Sequence, residues 1–277
     1  MLSTAFFLTN QSFVLLYLPS APKIVIVALG LLLSGLSGRA QTEKKIIRNN
    51  QVWLSTNNLY LLSLRWSVLT DAHIRRTEYV SRPSFYFIRG GVQYAIKRNL
   101  RVAGGYAHLC MASSGEAPWD RYLNENRFYQ QVSFSHRYPG VNTLFRVRNE
   151  QRIFNNRVKG GSLRDHYLTH RVRMLLSASI PFRSGSRAQF MIADEIHLNF
   201  GKRVVYNTFN QNRLTVGIKY KLSAQWSVDT GYMMVFQQRN TGFEYNLNHT
   251  FRLFFYGTFD FRKDKSTELN YVRHAEE

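Results

Sequence analysis

The sequence predicts an all-β chain, a single antiparallel transmembrane β-barrel of about twelve strands, with ten as the alternative, carrying short turns at one rim and longer loops at the other. Three patterns lead to this. Segments of alternating polarity recur from about Val52 onward, the breaks between them alternate in length, and aromatic residues gather on one face beside the short breaks.

The segments are 51–60, 64–77, 84–97, 99–111, 125–138, 141–155, 167–181, 187–200, 208–221, 225–239 and 247–261, and none carries helical periodicity. At roughly 10 to 16 residues they exceed the about 5–6 of a globular strand and suit the about 9–11 that a tilted strand needs to cross a bilayer. Bacterial single-chain barrels have even strand numbers. Either Ile46–Gln51 adds an upward strand to the visible set, making twelve, or the first segment is incomplete and ten remain.

Successive side chains of a strand point to opposite faces, so each segment divides by parity. In 84–97, Tyr86, Ile88, Val92 and Ile96 stand opposite Arg89 and Gln93. In 141–155, Phe145, Val147 and Ile153 share one face with Asn149 and Gln151, while Arg146, Arg148, Glu150 and Arg152 share the other. Segment 167–181 sets Val172, Met174, Leu176, Ala178 and Ile180 against Arg171 and Arg173; 208–221 sets Leu214, Val216 and Ile218 against Gln211, Arg213 and Lys219. In 247–261, Phe251, Leu253 and Phe255 oppose Asn248 and Arg252. A soluble sandwich would bury the apolar face and a barrel in a membrane would turn it to lipid, so alternation alone does not separate the two.

The breaks favour the barrel. Lys97-Arg98-Asn99, Tyr138-Pro139-Gly140, 182–186 and 222–224 are tight, whereas 78–83, 112–124, 156–166, 201–207 and 240–246 are longer. Trp66, Tyr94, Tyr138, Tyr220, Trp226, Phe259 and Phe261 fall on the apolar face near a short turn or the last strand end, where an aromatic girdle at a membrane interface would stand.

The amino terminus points to export. Lys23–Gln41 runs from a basic residue through an apolar core to small residues, the order of a signal peptide, with cleavage expected near Ala40. The expected organisation is a signal peptide over 1–40, an outer-membrane barrel over 41–261 and a polar periplasmic tail over 262–277. Residues 1–22 are unusually long for the part preceding such a core, which leaves the true translation start open.

Composition excludes other classes. Of 277 residues, 44% are hydrophobic, as in an ordinary folded protein. A net charge of +20 raises nucleic acid as a partner, but the basic residues are dispersed and no nucleic-acid motif accompanies them. The single cysteine, Cys110, forbids an internal disulfide and a multi-cysteine metal site and reads as a packed residue.

The segments Asn50–Val68, Phe85–Leu109 and Phe209–Arg239, with RFYQQVSF and FRVRNEQRIF, resemble the domain of unknown function 2490. The most specific pieces are the Arg146/Arg148/Glu150/Gln151/Arg152 block, Glu195 with Asn199 in ADEIHLNF, and Gln211/Asn212/Arg213. The resemblance implies an outer-membrane β-barrel of a Gram-negative bacterium and implies no biochemical role. The tail after Phe261 departs from the usual terminal aromatic of outer-membrane strands.

No catalytic or metal-binding apparatus is expected. A lipid-hydrolysing enzyme would need a nucleophile and base within hydrogen-bond reach, and the nearest set, Ser133, Ser135, His136 and Asn142, lacks the expected order. His166 and His170 would stand about 13 Å apart on one strand face, too far to share a metal. Gly90-Gly91 and Gly160-Gly161 precede no helix, so neither suits a phosphate loop, and no cofactor is expected.

The informative face is the arginine face. By parity Arg65, Arg75, Arg89, Arg101, Arg127, Arg137, Arg146, Arg148, Arg152, Arg171, Arg173, Arg213 and Arg252 point inward, with Asp71, Glu150, Glu195, Asp229 and Asp260 as partial compensation. One reading is a structural or transport barrel whose lumen is braced by arginine–carboxylate pairs. The other is a small anion-preferring pore or a channel for an acidic ligand. The expected partners are outer-membrane lipids, the barrel-assembly machinery during biogenesis and small anions.

Overall fold

A computed structural model describes residues 43–112, 122–157 and 164–262. The expected signal peptide, the Ala40 cleavage site, Gly160-Gly161 and the tail beyond Arg262 lie outside these residues, so the expected division into leader, barrel and tail is seen only in its middle part.

The described residues form β1 (Lys45–Leu61), β2 (Trp66–Thr77), β3 (Arg82–Lys97), β4 (Leu100–Ala112), β5 (Tyr122–Tyr138), β6 (Val141–Arg157), β7 (Arg164–Pro181), β8 (Ala188–Phe200), β9 (Phe209–Lys221), β10 (Trp226–Gln238) and β11 (Glu244–Asp260). Each pairs antiparallel with its neighbour in sequence, and β1 closes the barrel against β11.

The barrel has eleven strands among the described residues, which corrects both the twelve and the ten. Ile46–Gln51 is not a strand of its own; it is the first part of one long β1. An up-and-down meander with an odd number of strands brings its first and last strands together pointing the same way. The closing seam is accordingly parallel, in an unbroken register from Lys45↔Glu244 to Leu61↔Asp260. Parallel pairing is slightly weaker per residue than antiparallel, and the length of the seam offsets this.

The turns differ less between rims than the sequence suggests. At one rim 98–99 and 139–140 are tight, but 182–187 is longer than 78–81 at the other rim. Pro139-Gly140 shows why the tight ones form: proline presets the second turn position, and Gly140 takes a φ of 81°, which a side chain resists.

Faces follow parity. Leu54 on β1, Ile88 on β3, Phe145 on β6, Phe190 on β8, Ile218 on β9 and Phe251 on β11 are exposed on the outside. Inside, Leu59, Leu61 and Leu69 pack together near the short-turn rim with Ala103 beside them. A second apolar group joins Trp53, Met233 and Val235 with Phe254. The interior is therefore not uniformly polar.

The exterior is not uniformly apolar either. Asp194 accepts a hydrogen bond from Asn212 at 2.7 Å on the outer face, and Gln130 exchanges hydrogen bonds with Gln151. Cys110, expected as a packed residue, is half-exposed on that face, within 3.6 Å of His108 Nε2 and 3.4 Å of Asn124 Oδ1.

Candidate functional site

The barrel encloses a cavity of about 460 Å³. Eleven cationic side chains line it against three carboxylates, Asp71, Glu195 and Asp229, so its wall is strongly positive. The arginines reach it because alternate residues of β5 to β9 face inward and the cross-strand registers set them side by side. Arg148 opposes Arg173, Glu150 opposes Arg171, and Glu195 opposes Arg213.

Three glutamates organise this wall. Glu125 is fully buried and receives two forks: Arg127 donates from Nε and Nη2 at 2.5 and 3.1 Å, and Arg152 from the same atoms at 2.6 and 3.1 Å. Glu150 accepts from Arg171 Nε at 2.9 Å and Arg173 Nη1 at 2.9 Å, with Arg127 at 3.8 Å and Arg148 at 4.0 Å. Glu195 accepts from Arg173 at 2.8 Å, Arg146 at 3.0 Å and Arg213 at 3.4 Å, and its Oε2 lies 2.9 Å from His197 Nε2. Arg173 thus ties Glu150 to Glu195. Planar guanidiniums suit this bridging because each presents two edges of N–H donors to carboxylates.

The sequence-predicted residues Arg146, Arg148, Glu150, Arg152, Arg171, Arg173, Glu195 and Arg213 come together in this one lattice, while Arg89 stands apart on β3 and pairs with Asp71 of β2. Arg252 pairs with Asp229 at 2.7 Å. Glu125 was missed because it lies at the predicted start of its strand; its parity, shared with Arg127 two residues on, is the signal that finds it. Asp260 turns to Arg262 at the strand end. Two predicted inward arginines stand at the short-turn rim instead: Arg65 donates to Tyr94 Oη at 2.9 Å from an exposed turn, and Arg137 is exposed beside Asn142. A turn residue has no strand parity, which is why alternation misplaced Arg65.

Tyr129 links the lattice to the other side. Its ring meets the guanidiniums of Arg148 at 5.0 Å and Arg89 at 5.2 Å. It fits there because Gly91 and Gly105 are paired across β3 and β4 with no side chains; a Cβ at Gly105 would fall 2.8 Å from the Tyr129 ring.

The opposite wall is aromatic. The Arg75 guanidinium lies 3.6 Å from the Trp53 ring and 4.3 Å from the Phe85 ring. His73 meets Phe87 and Phe254 edge-on at 4.9 and 5.7 Å. Parity places these inside, but the expectation that aromatics belong to an external girdle hid them. The expected girdle residues are at the short-turn rim: Trp66 on Tyr94 at 4.7 Å, Trp226 on Phe259 at 5.6 Å, Tyr138 beside His136 at 4.2 Å, with Tyr220 and Phe261 exposed.

Among the described residues no group of three or more His, Cys, Asp or Glu side chains is arranged to hold a metal ion. No curated protein matches the chain. The family model described as "Protein of unknown function (DUF2490)" matches residues 50–246, which covers β2 to β10, most of β1 and the whole arginine lattice, and the chain belongs to that family.

Proposed function

We propose that this protein is an outer-membrane β-barrel of structural or transport type, not an enzyme, whose lumen is braced by the lattice around Glu125, Glu150 and Glu195. The observation that carries the reading is the outer surface. Every strand exposes a large apolar or aromatic side chain, from Leu54 and Ile74 to Tyr232 and Phe251. Water penalises a continuous apolar band of this kind, whereas lipid accepts it without cost. The aromatic pairs at the short-turn rim support the same orientation, with that rim in the periplasm.

A second reading, a small anion-preferring pore, is favoured by the excess of the eleven cations that line the cavity over the five carboxylates, Asp71, Glu125, Glu150, Glu195 and Asp229, that pair with them or line it. The two differ in a planar bilayer under a salt gradient. The braced barrel predicts no unitary conductance steps, because long side chains and, near the short-turn rim, the leucine cluster obstruct the narrow interior beyond the cavity. Steps with an anion-selective reversal potential contradict it and support the pore.

A further inference from the structure

We infer that the aromatic side of the lumen binds an amphipathic anion, a carboxylate or phosphate head on an apolar body, with Arg75 as the residue that takes the head group. This deepens the luminal reading above by naming a ligand class for the cavity.

Rings satisfy the two faces of a guanidinium but not its in-plane N–H donors, which need acceptors. Trp53 and Phe85 occupy the faces. Arg75 Nε is buried with no hydrogen-bond partner, and among the described residues no carboxylate lies within ion-pair distance of Arg75, in contrast to the arginines gripped by the three glutamates. Arg75 lines the cavity, and a ligand there would meet the open edge of its guanidinium, while Nε itself is closed off. A buried guanidinium with no carboxylate beside it is costly, and an anion in the cavity would meet it with a charge-assisted pair.

The surroundings favour an anion with an apolar body over a small inorganic ion. Arg213 also stacks on Trp53, at 5.0 Å, and adds positive potential beside the site. Phe85, Phe87 and Phe254 line the same cavity and offer a wall that bare phosphate or chloride would leave unused. A volume of about 460 Å³ lies within the usual range of small-ligand pockets.

The test uses 1-naphthoate and 1-naphthyl phosphate as probes, with 1-naphthalenemethanol as neutral control, titrated calorimetrically into the full chain refolded in lipid nanodiscs against empty nanodiscs. Saturable one-site binding of either anion, at least tenfold tighter than the alcohol and weakened at least tenfold by R75Q, is expected. Heat-modifiable gel mobility of R75Q verifies folding; if R75Q does not fold, R75K serves, since it keeps charge but not the flat fork and should still weaken binding. Absence of saturable binding to a heat-modifiable wild-type barrel, or equal affinity in the variant, overturns the inference while leaving the barrel reading intact. Loss of heat-modifiability in the wild type overturns the barrel reading itself.

Discussion

Arg171 and Arg75 line the same cavity, yet their guanidiniums are held by different means. Arg171 grips Glu150 with two donors, inside a lattice where each carboxylate serves several arginines. Among the described residues Arg75 meets two rings and no carboxylate. The lattice wall of β5 to β9 gives up its donors to bracing, whereas the aromatic wall of β1 to β3 and β11 keeps one charged group in reserve. Bracing and binding are thus divided between two sides of one lumen.

The largest way to break this contrast is Glu150→Gln. Glu150 is 3% exposed and meets Arg171 and Arg173 directly. Removing one member of a buried ionic network leaves uncompensated charge and costs about 3–5 kcal/mol. A urea titration of the heat-modifiable fraction in vesicles should show that loss, and R75Q in the same assay should change stability by less than about 1 kcal/mol, because no carboxylate is stranded. Equal losses in the two variants would erase the distinction between the walls.

Glu125→Gln sharpens it. Two arginines rather than four depend on this carboxylate, so the expected loss, about 2–3 kcal/mol, falls below that of Glu150→Gln. Gly105→Val probes the link between the walls: its side chain meets the Gly90 carbonyl and Gly91 Cα of the paired strand as well as the Tyr129 ring, so the β3–β4 backbone must shift and Tyr129 must leave its place between Arg89 and Arg148, and overpacking of this sort costs about 1–3 kcal/mol. The smallest effect belongs to Lys45→Ala. The Lys45–Glu244 pair at the outer end of the seam is exposed, and its removal should leave the urea midpoint unchanged within error, since the parallel seam rests on its backbone register.

Much of this was legible in the sequence because alternation in a barrel reports two environments at once. Phe145, Val147 and Ile153 point out, and Arg146, Arg148, Glu150 and Arg152 point in, as their parity requires. Eleven segments were visible in the sequence, and only the expectation of an even strand number moved the count to twelve or ten; Lys45–Asn50, which reads KIIRNN with no alternation, joins β1 through its parallel partner Glu244–His249, a contact that only closure creates. The aromatic wall was hidden for another reason. Trp53, Phe85 and Phe254 carry residue types expected outside, and local pattern does not reveal that an arginine on the neighbouring strand, Arg75, or two residues away, Arg252, offers them a partner inside. Nor does it predict Asp194 with Asn212 on the outer face, a polar pair that alternation assigns to neither environment.

The central claim is a closed barrel seated in the outer membrane. Fractionation of cells making the full chain, followed by gel mobility with and without heating, tests it most directly. A closed barrel in the outer membrane predicts recovery with that membrane and a band that migrates faster unheated than heated. Recovery in the soluble periplasmic fraction with one mobility under both conditions would contradict it.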